Sequence, residues 1–393
     1  MTSSNRMPST ICIHGNEKQK PGPAVEPIYQ TSTFVFEDQQ AMLASVQGKS
    51  TKDVYTRWSN PTTRAVEHKI SALECTERSF AFASGMGAIS AVMTGLLKKG
   101  DTIITSDSIY GGTLHLFEDI LPQQGINVEF VDLKEFVDKV EDSNGRAKMC
   151  YFETPTNPSL RIIDIRKAAA AARASGTISV IDNTFATPIN QRPHELGVDI
   201  IVHSATKYLG GHSDIIAGTV SGDNPYIDSI IKAAKLLGAT IDPFASFLLD
   251  RGLKTLGVRV EKHNKNAMFL ATELSKDTRI SRIHYPGLTS HSSYDIARSQ
   301  MNGFGGMLTI DIDGTLEQTE TFVDSLELFL NAVSLGGVES LASIPALTTH
   351  YGIDASILEE MNICDSTVRL SVGIENPIDL LRDITTALDL VFG

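Results

Sequence analysis

An α/β protein is predicted, with a mostly parallel sheet covered by helices and a smaller α+β domain at the C-terminal end. Three observations predict it. Between residues 61 and 245 short apolar runs alternate with helical stretches, the pattern of strand–helix–strand units that bury a parallel sheet on both faces. Past residue 246 that alternation gives way to one long one-sided helix and an alternating strand. Before residue 61, Pro21, Pro23 and Pro27 break any regular pattern, and Tyr29–Phe34 is extended in character. The expected organisation is an arm (1–60) lying across another subunit, an α/β domain (61–245) and the α+β domain (246–393).

The expected strands are Arg78–Phe82, Thr102–Ser106, Asn127–Phe130, Lys148–Glu153, Ile178–Ile181 and Ile200–His203. Helices are expected between them over Met86–Leu97, Gly112–Leu121 and Ile165–Ala174. In the second half, Leu256, Val260, His263, Ala267, Leu270 and Leu274 recur at spacings of three and four, one face of a long helix. Met307–Ile312 alternates as a strand does after Gly305 and Gly306. Asn376 as N-cap, Pro377 at the first helical position and Leu380, Leu381, Ile384, Leu388 and Val391 mark a final helix.

At 393 residues, 41% hydrophobic and 21% charged, the chain has ample material for a core. Its net charge of −13, without a cluster of Lys and Arg, argues against a nucleic-acid surface. No apolar run is long enough to span a bilayer, and Met1–Lys20 lacks the apolar centre of a signal peptide, so a cytoplasmic location is expected. Cys12, Cys75, Cys150 and Cys364 are widely spaced, form no zinc pattern and are expected as reduced thiols; no metal is expected.

Chemistry concentrates at strand ends, where open α/β sheets place their ligands. Ser204-Ala205-Thr206-Lys207 follows the last strand. A lysine amine held there becomes nucleophilic if burial or a nearby cation disfavours its ammonium, and it can then form a Schiff base with an aldehyde cofactor. The flanking hydroxyls of Ser204 and Thr206 suit a phosphate. Ser84-Gly85-Met86-Gly87 opens a helix, where free N–H groups bind an anion; tight helix–strand packing explains the glycines equally well. Asp182 ends a strand and can neutralise a protonated ring nitrogen, or serve only as a turn residue. Tyr110, before Gly111 and Gly112, can lie on an aromatic ring or mark a turn. Asn157, between Pro155 and Pro158, can donate to a cofactor oxygen. Arg369 alternates with apolar residues in a strand and either clamps a carboxylate in a cleft or lies solvated on an open face.

Five such features in the order phosphate loop, ring-stacking Tyr, Asn, Asp and Lys point to one site. Together with Pro27–Phe34, Tyr55–Thr62 and Ser334-Leu335-Gly336-Gly337, they make the chain resemble the pyridoxal-phosphate enzymes of Cys/Met metabolism. That family includes cystathionine γ-synthase, the cystathionine lyases and methionine γ-lyase. The resemblance implies the fold type I architecture, like aspartate aminotransferase, with pyridoxal 5′-phosphate as cofactor. It implies that Lys207 carries the cofactor and moves protons at the substrate, that Asp182 pairs with the ring nitrogen and that Tyr110 stacks on the ring. Gly85, Met86, Ser204 and Thr206 are then expected to hold the phosphate, and Tyr55 and Arg57 to reach the neighbouring subunit's site. Asn157, Ser334 and Arg369 match positions that contact the ring oxygen, orient the substrate and bind its carboxylate. The assembly implied is a homotetramer of two active dimers.

Two positions point to different substrates within the family. Gly112 stands where methionine γ-lyases usually carry cysteine, as in the cystathionine enzymes. Val333 stands where cystathionine γ-enzymes usually carry a glutamate before Ser334. The expected activity is γ-elimination or γ-replacement of the cystathionine γ-lyase or γ-synthase type, with methionine γ-lyase as the alternative. More distant are an O-acylhomoserine sulfhydrylase and a nicotinamide enzyme, the latter leaving Lys207 and Asp182 unexplained. His115 lies close enough to the Tyr110 loop to touch a substrate, or to be an ordinary surface histidine.

Overall fold

Runs such as Ile178–Asp182 and Ile200–His203, β-branched and bounded by polar turns, become the strands of a seven-stranded sheet. The computed structural model describes residues 6–16, 21–348, 351, 358 and 363–393; parts of the expected arm (1–5 and 17–20) and of the C-terminal domain lie outside these. The strands are β1 (Arg78–Phe82), β2 (Thr102–Ser106), β3 (Asn127–Val131), β4 (Met149–Glu153), β5 (Ile178–Asp182), β6 (Ile200–His203) and β7 (Gly218–Gly222). Their order is β1-β7-β6-β5-β4-β2-β3. β6, β5, β4, β2 and β3 are parallel to one another, whereas β7 runs antiparallel to both β1 and β6.

Both faces of this sheet are buried, which is why its strands read as nearly continuous apolar runs. Met149, Tyr151, Val180, Ile200 and Val202 pack with the helices Gly85–Leu96 and Tyr226–Leu237 on one face. Cys150, Phe152, Ile181 and Ile201 pack with the helix Ile165–Ser175 on the other.

β7 has no signal in the sequence reading, because Gly218 and Gly222 interrupt it and Val220 is its one large apolar residue. Gly218 is required by packing: a Cβ there would collide with the carbonyl of Ser84 and sit 2.8 Å from Gly85 Cα. The strand thus lies directly against the loop that opens the Gly85 helix.

A second sheet holds β8 (Ile280–His284), β9 (Met307–Ile312), β10 (Leu330–Asn331), β11 (Leu341–Ser343) and β12 (Thr367–Ser371), in the order β10-β11-β12-β9-β8. Leu308, Ile310, Val368 and Leu370 face a core shared with the helices Leu256–Leu274 and Pro377–Phe392. The last helix starts as its sequence dictates: Pro377 is its first residue, and Asn376 Oδ1 accepts the Ile378 N–H at 3.0 Å. Burying Leu380, Ile384 and Leu388 from it contributes about 1.5–3 kcal/mol per side chain.

The boundary expected at residue 245 falls inside the helix Pro243–Lys254. The arm is more regular than its prolines suggest. Pro8–His14 is a helix whose Ile11 and Cys12 are buried beside Val66, Leu253 and Leu256, and Gln39–Val46 is a second. Among the described residues no helix is long and apolar enough to cross a membrane, and no group of acidic, His and Cys side chains is arranged to hold a metal.

Candidate active site

The carboxyl ends of β4, β5 and β6 meet the start of the Gly85 helix and the edge of the second sheet around a cavity of about 650 Å³. Its lining includes Gly85, Met86, Tyr110, Gly112, His115, Asn157, Asp182, Ser204, Thr206, Lys207, Val333, Ser334 and Arg369. Every residue singled out from the sequence is therefore in one place except Tyr55 and Arg57.

At one end the backbone sets the shape. Ser84 caps the helix by accepting the Gly87 N–H at 3.0 Å, which leaves the N–H groups of Gly85 and Met86 at the helix start without intrahelical partners. Gly85 lies so close to Ser204 that a Cβ would be 3.0 Å from the serine Cβ. The Ser204 loop is held by its N–H, which donates to Thr184 Oγ1 at 2.8 Å, and by the Thr206 hydroxyl, which donates to the Ala217 carbonyl at 3.1 Å. The Thr184 N–H in turn donates to Asp182 Oδ1 at 2.9 Å. Burial raises the Asp182 carboxyl above its usual range, while the bonds from Thr184 and the nearby His203 oppose the rise.

At the other end three groups form a line across the two sheets. Lys207 Nζ donates to Ser334 Oγ at 2.7 Å. Arg369 Nη2 donates to the Ser334 carbonyl at 3.3 Å, and Nη1 to Asn157 Oδ1 at 3.1 Å. Arg369 is buried on β12 between the apolar Val368 and Leu370, so the alternation that sends those two into the core sends it into the cleft. Ser334 has φ +93°, a left-handed backbone that a serine adopts only at a cost; residues held that way cluster at functional sites. Burial, and then Arg369, lower the Lys207 amine to about 8, and burial brings Arg369 itself down to about 10.

The mouth is more open. Tyr110 is 47% exposed, with its N–H on Glu153 Oε1 at 2.8 Å. Its ring lies against Gly112, where a Cβ would be 2.6 Å from the ring and 3.2 Å from Met86 Sδ. Val333 and Ile216 are 58% and 69% exposed at the rim. His115 is a rim residue whose Nδ1 lies 3.6 Å from Asp119 on its own helical turn. Glu153, Thr184 and Ile216 escaped the sequence reading. Glu153 and Thr184 had strand-end positions as a signal, but Ile216 had none.

Tyr55 and Arg57 lie elsewhere. Arg57 Cζ is 5.6 Å from the centre of the Tyr55 ring, and its guanidinium donates to the Lys235 carbonyl. The pair lines a separate cleft with Thr240, Asp242 and Pro243.

The family model of Cys/Met metabolism PLP-dependent enzymes matches residues 9–389. Cystathionine beta-lyase of Coxiella burnetii is 43% identical over 396 residues, 99% of this chain and 100% of that protein. L-methionine gamma-lyase of Fusobacterium nucleatum subsp. nucleatum is 40% identical, over 97% of this chain and 98% of that protein. The solved structure of cystathionine gamma-lyase from Lactobacillus plantarum complexed with L-serine matches with a TM-score of 0.91 at 39% identity, covering 98% of this chain and 99% of that one.

Proposed function

The chain belongs to the Cys/Met metabolism PLP-dependent enzymes, and on that premise we propose that it performs γ-elimination or γ-replacement on sulfur amino acids, in the manner of a cystathionine γ-lyase or γ-synthase. The observation that carries this reading is the line Lys207–Ser334–Arg369: an amine brought to about 8 and a buried guanidinium, joined through one serine. An α-amino acid would set its carboxylate on the guanidinium and its α-carbon beside the Lys207 amine, the base for its proton. Family membership also removes the nicotinamide alternative.

The residues fit pyridoxal 5′-phosphate. The capped helix start and the Ser204 loop make a cradle that a Cβ at Gly85 would fill, of a kind suited to a phosphate. Among the described residues no salt bridge reaches the half-buried Asp182, and its carboxyl suits a protonated ring nitrogen. In this reading Gly85, Met86, Ser204 and Thr206 hold the phosphate, Asp182 the ring nitrogen and Asn157 the ring oxygen, while Lys207 bonds the aldehyde carbon. When bound, the cofactor supplies an electron sink for charge that develops at the substrate's Cα.

The chain's own residues do the rest. Arg369 clamps the α-carboxylate, and Ser334 holds the Lys207 amine beside it. The Lys207 amine would take the proton from Cα, hand it on within the site so that it is again a free base, and then take one from Cβ. The γ-carbon bond to sulfur or oxygen then breaks with its electron pair on the departing atom, and Tyr110 at the mouth delivers the proton that atom needs. A thiol adding at the same carbon gives replacement; water completing the elimination gives a 2-oxo acid and ammonia.

Two other outcomes have observations behind them. Val333, apolar and exposed at the rim, offers a distal ammonium no acidic partner and favours methionine. The 43% identity to a cystathionine beta-lyase favours cleavage on the β side. One assay separates them, with L-cystathionine, L-methionine and O-acylhomoserine plus cysteine given in turn to the cofactor-saturated enzyme. Cysteine with 2-oxobutanoate from cystathionine, or cystathionine synthesis, supports the reading. Homocysteine with pyruvate makes it a β-lyase, and fast methanethiol release makes it a methionine γ-lyase. No 2-oxo acid and no cystathionine from any of these ends the proposal.

Tyr55 and Arg57 belong in this reading to a neighbouring subunit's phosphate. The apolar Ile28, Tyr29, Val35 and Trp58, exposed on the same arm, are surface for that contact. A homotetramer of 42.6 kDa chains follows, measurable by light scattering. A cytoplasmic location is part of the same reading, supported by four cysteines that are all free.

A further inference from the structure

β4 ends in Glu153, an acid that the sequence marks only by its place at a strand end. In the parallel pair β4/β5 it is the direct partner of Asp182. Side chains opposite each other on neighbouring strands leave the sheet on the same face, so the two carboxyls stand side by side in the Lys207 cavity, which both of them line. Glu153 is buried, and its Oε1 accepts the backbone N–H of Tyr110 at 2.8 Å. That bond fastens the start of the Tyr110 turn to the central sheet. A second fastening lies two residues earlier, where Arg161 donates to the Ser108 hydroxyl. The exposed Tyr110 ring gains its place from these anchors and from lying against Gly112.

We propose that Glu153 is a positioning residue: its carboxyl holds the Tyr110 backbone and thereby sets the Tyr110 ring over the Lys207 cavity. It does this as an uncharged acid. Two carboxyls side by side in one cavity do not both ionise. Asp182 has the better claim to the charge, because Thr184 donates to it and His203 favours its ionised form. Among the described residues Glu153 receives only the Tyr110 N–H, and burial together with Asp182 raises its carboxyl well above the ordinary range. An uncharged Glu153 leaves Asp182 as the one negative partner for a ring nitrogen and still offers an oxygen to Tyr110.

The inference rests on the proposed role of Tyr110 in this cavity. Its test compares Glu153→Gln with Glu153→Ala, because glutamine keeps the accepting oxygen and cannot ionise. Three readouts are taken: the Tyr110 position in crystals of the cofactor-free proteins, the pH titration of the bound cofactor's absorbance, and kcat with KM. Glu153→Gln is expected to leave Tyr110 in place, superimpose its absorbance titration on that of the unaltered enzyme and keep kcat within about threefold. Glu153→Ala is expected to move the Tyr110 backbone and lower kcat about tenfold, the worth of one buried hydrogen bond, with KM nearly unchanged. A shifted titration or a large loss in Glu153→Gln overturns the inference, because the charge would then matter. An unmoved Tyr110 and full kcat in Glu153→Ala overturns it too. Failure of the wider functional reading shows separately, as absence of 2-oxo acid from the unaltered enzyme.

Discussion

At the sheet end of the cavity, Asn157, Glu153 and Arg369 are buried, and Gly85 packs so closely on Ser204 that a Cβ would lie 3.0 Å from the serine Cβ. At the mouth, Val333 and Ile216 are more than half exposed and Tyr110 nearly so. The first region is fixed by backbone: a helix start, strand ends, a strained serine. The second is lined by exposed side chains, of which Tyr110 is held by its backbone N–H on Glu153. A chain can therefore change what lines the mouth at small cost to stability, while the close contact of Gly85 with Ser204 leaves little room for change at the sheet end.

The contrast breaks most plainly at Lys207. Lys207→Ala should lower turnover at least about a thousandfold, since nucleophile and proton carrier are lost together. Borohydride should no longer attach the cofactor, while thermal unfolding changes little. Retained turnover would remove the sheet end as the seat of the chemistry.

Next in size is Arg369→Leu. Loss of a buried, charge-assisted carboxylate contact is worth about 1.5–3 kcal/mol, so kcat/KM should fall about 10–150-fold. Steady-state kinetics that show no loss would place the carboxylate elsewhere.

The pH dependence sharpens the electrostatic side. Burial, aided by Arg369, brings the Lys207 amine from 10.5 to about 8. The charged form is the one disfavoured, so the reactive free amine dominates above that pH and falls about tenfold per unit below it. The rate of cofactor attachment to the apoprotein, followed by absorbance, should rise with pH and level off above about 8. Arg369→Leu should move that bend upward; a bend near 10 in the unaltered protein would contradict the burial argument.

The smallest effect is expected at the mouth. Val333→Glu places a half-exposed acid where a distal ammonium passes, an interaction worth about 0.2–1 kcal/mol. The ratio of kcat/KM for cystathionine over methionine should rise about two- to fivefold with no change in unfolding temperature. An unchanged ratio would take Val333 out of substrate choice.

Much of the sheet end was legible in the sequence because it obeys local rules. Strands buried on both faces read as apolar runs, and the candidate residues follow them at short distances; Asp182 and Lys207 stand out that way and line the same cavity. Arg369 was half legible, since its alternation with Val368 and Leu370 fixes its face but not what the face meets. The remainder depends on contacts far apart in the chain. β7 is built around the space that Gly218 leaves for Ser84, a constraint with no local pattern. Glu153 gains its meaning only from register with Asp182 and from the Tyr110 N–H. The helix Pro8–His14 forms where proline suggested none, because Pro8 begins it and Ile11 and Cys12 find a core to enter.

Ser334 ties a group carried by one sheet to a group carried by the other, through its hydroxyl to Lys207 and through its carbonyl to Arg369. The serine thus acts as a caliper with its jaws locked. In the proposed reading, a ligand with its acid on the Arg369 jaw would have its α-carbon set beside the Lys207 jaw. A homologue with one more carbon between acid and amine would seat its acid and miss the other jaw.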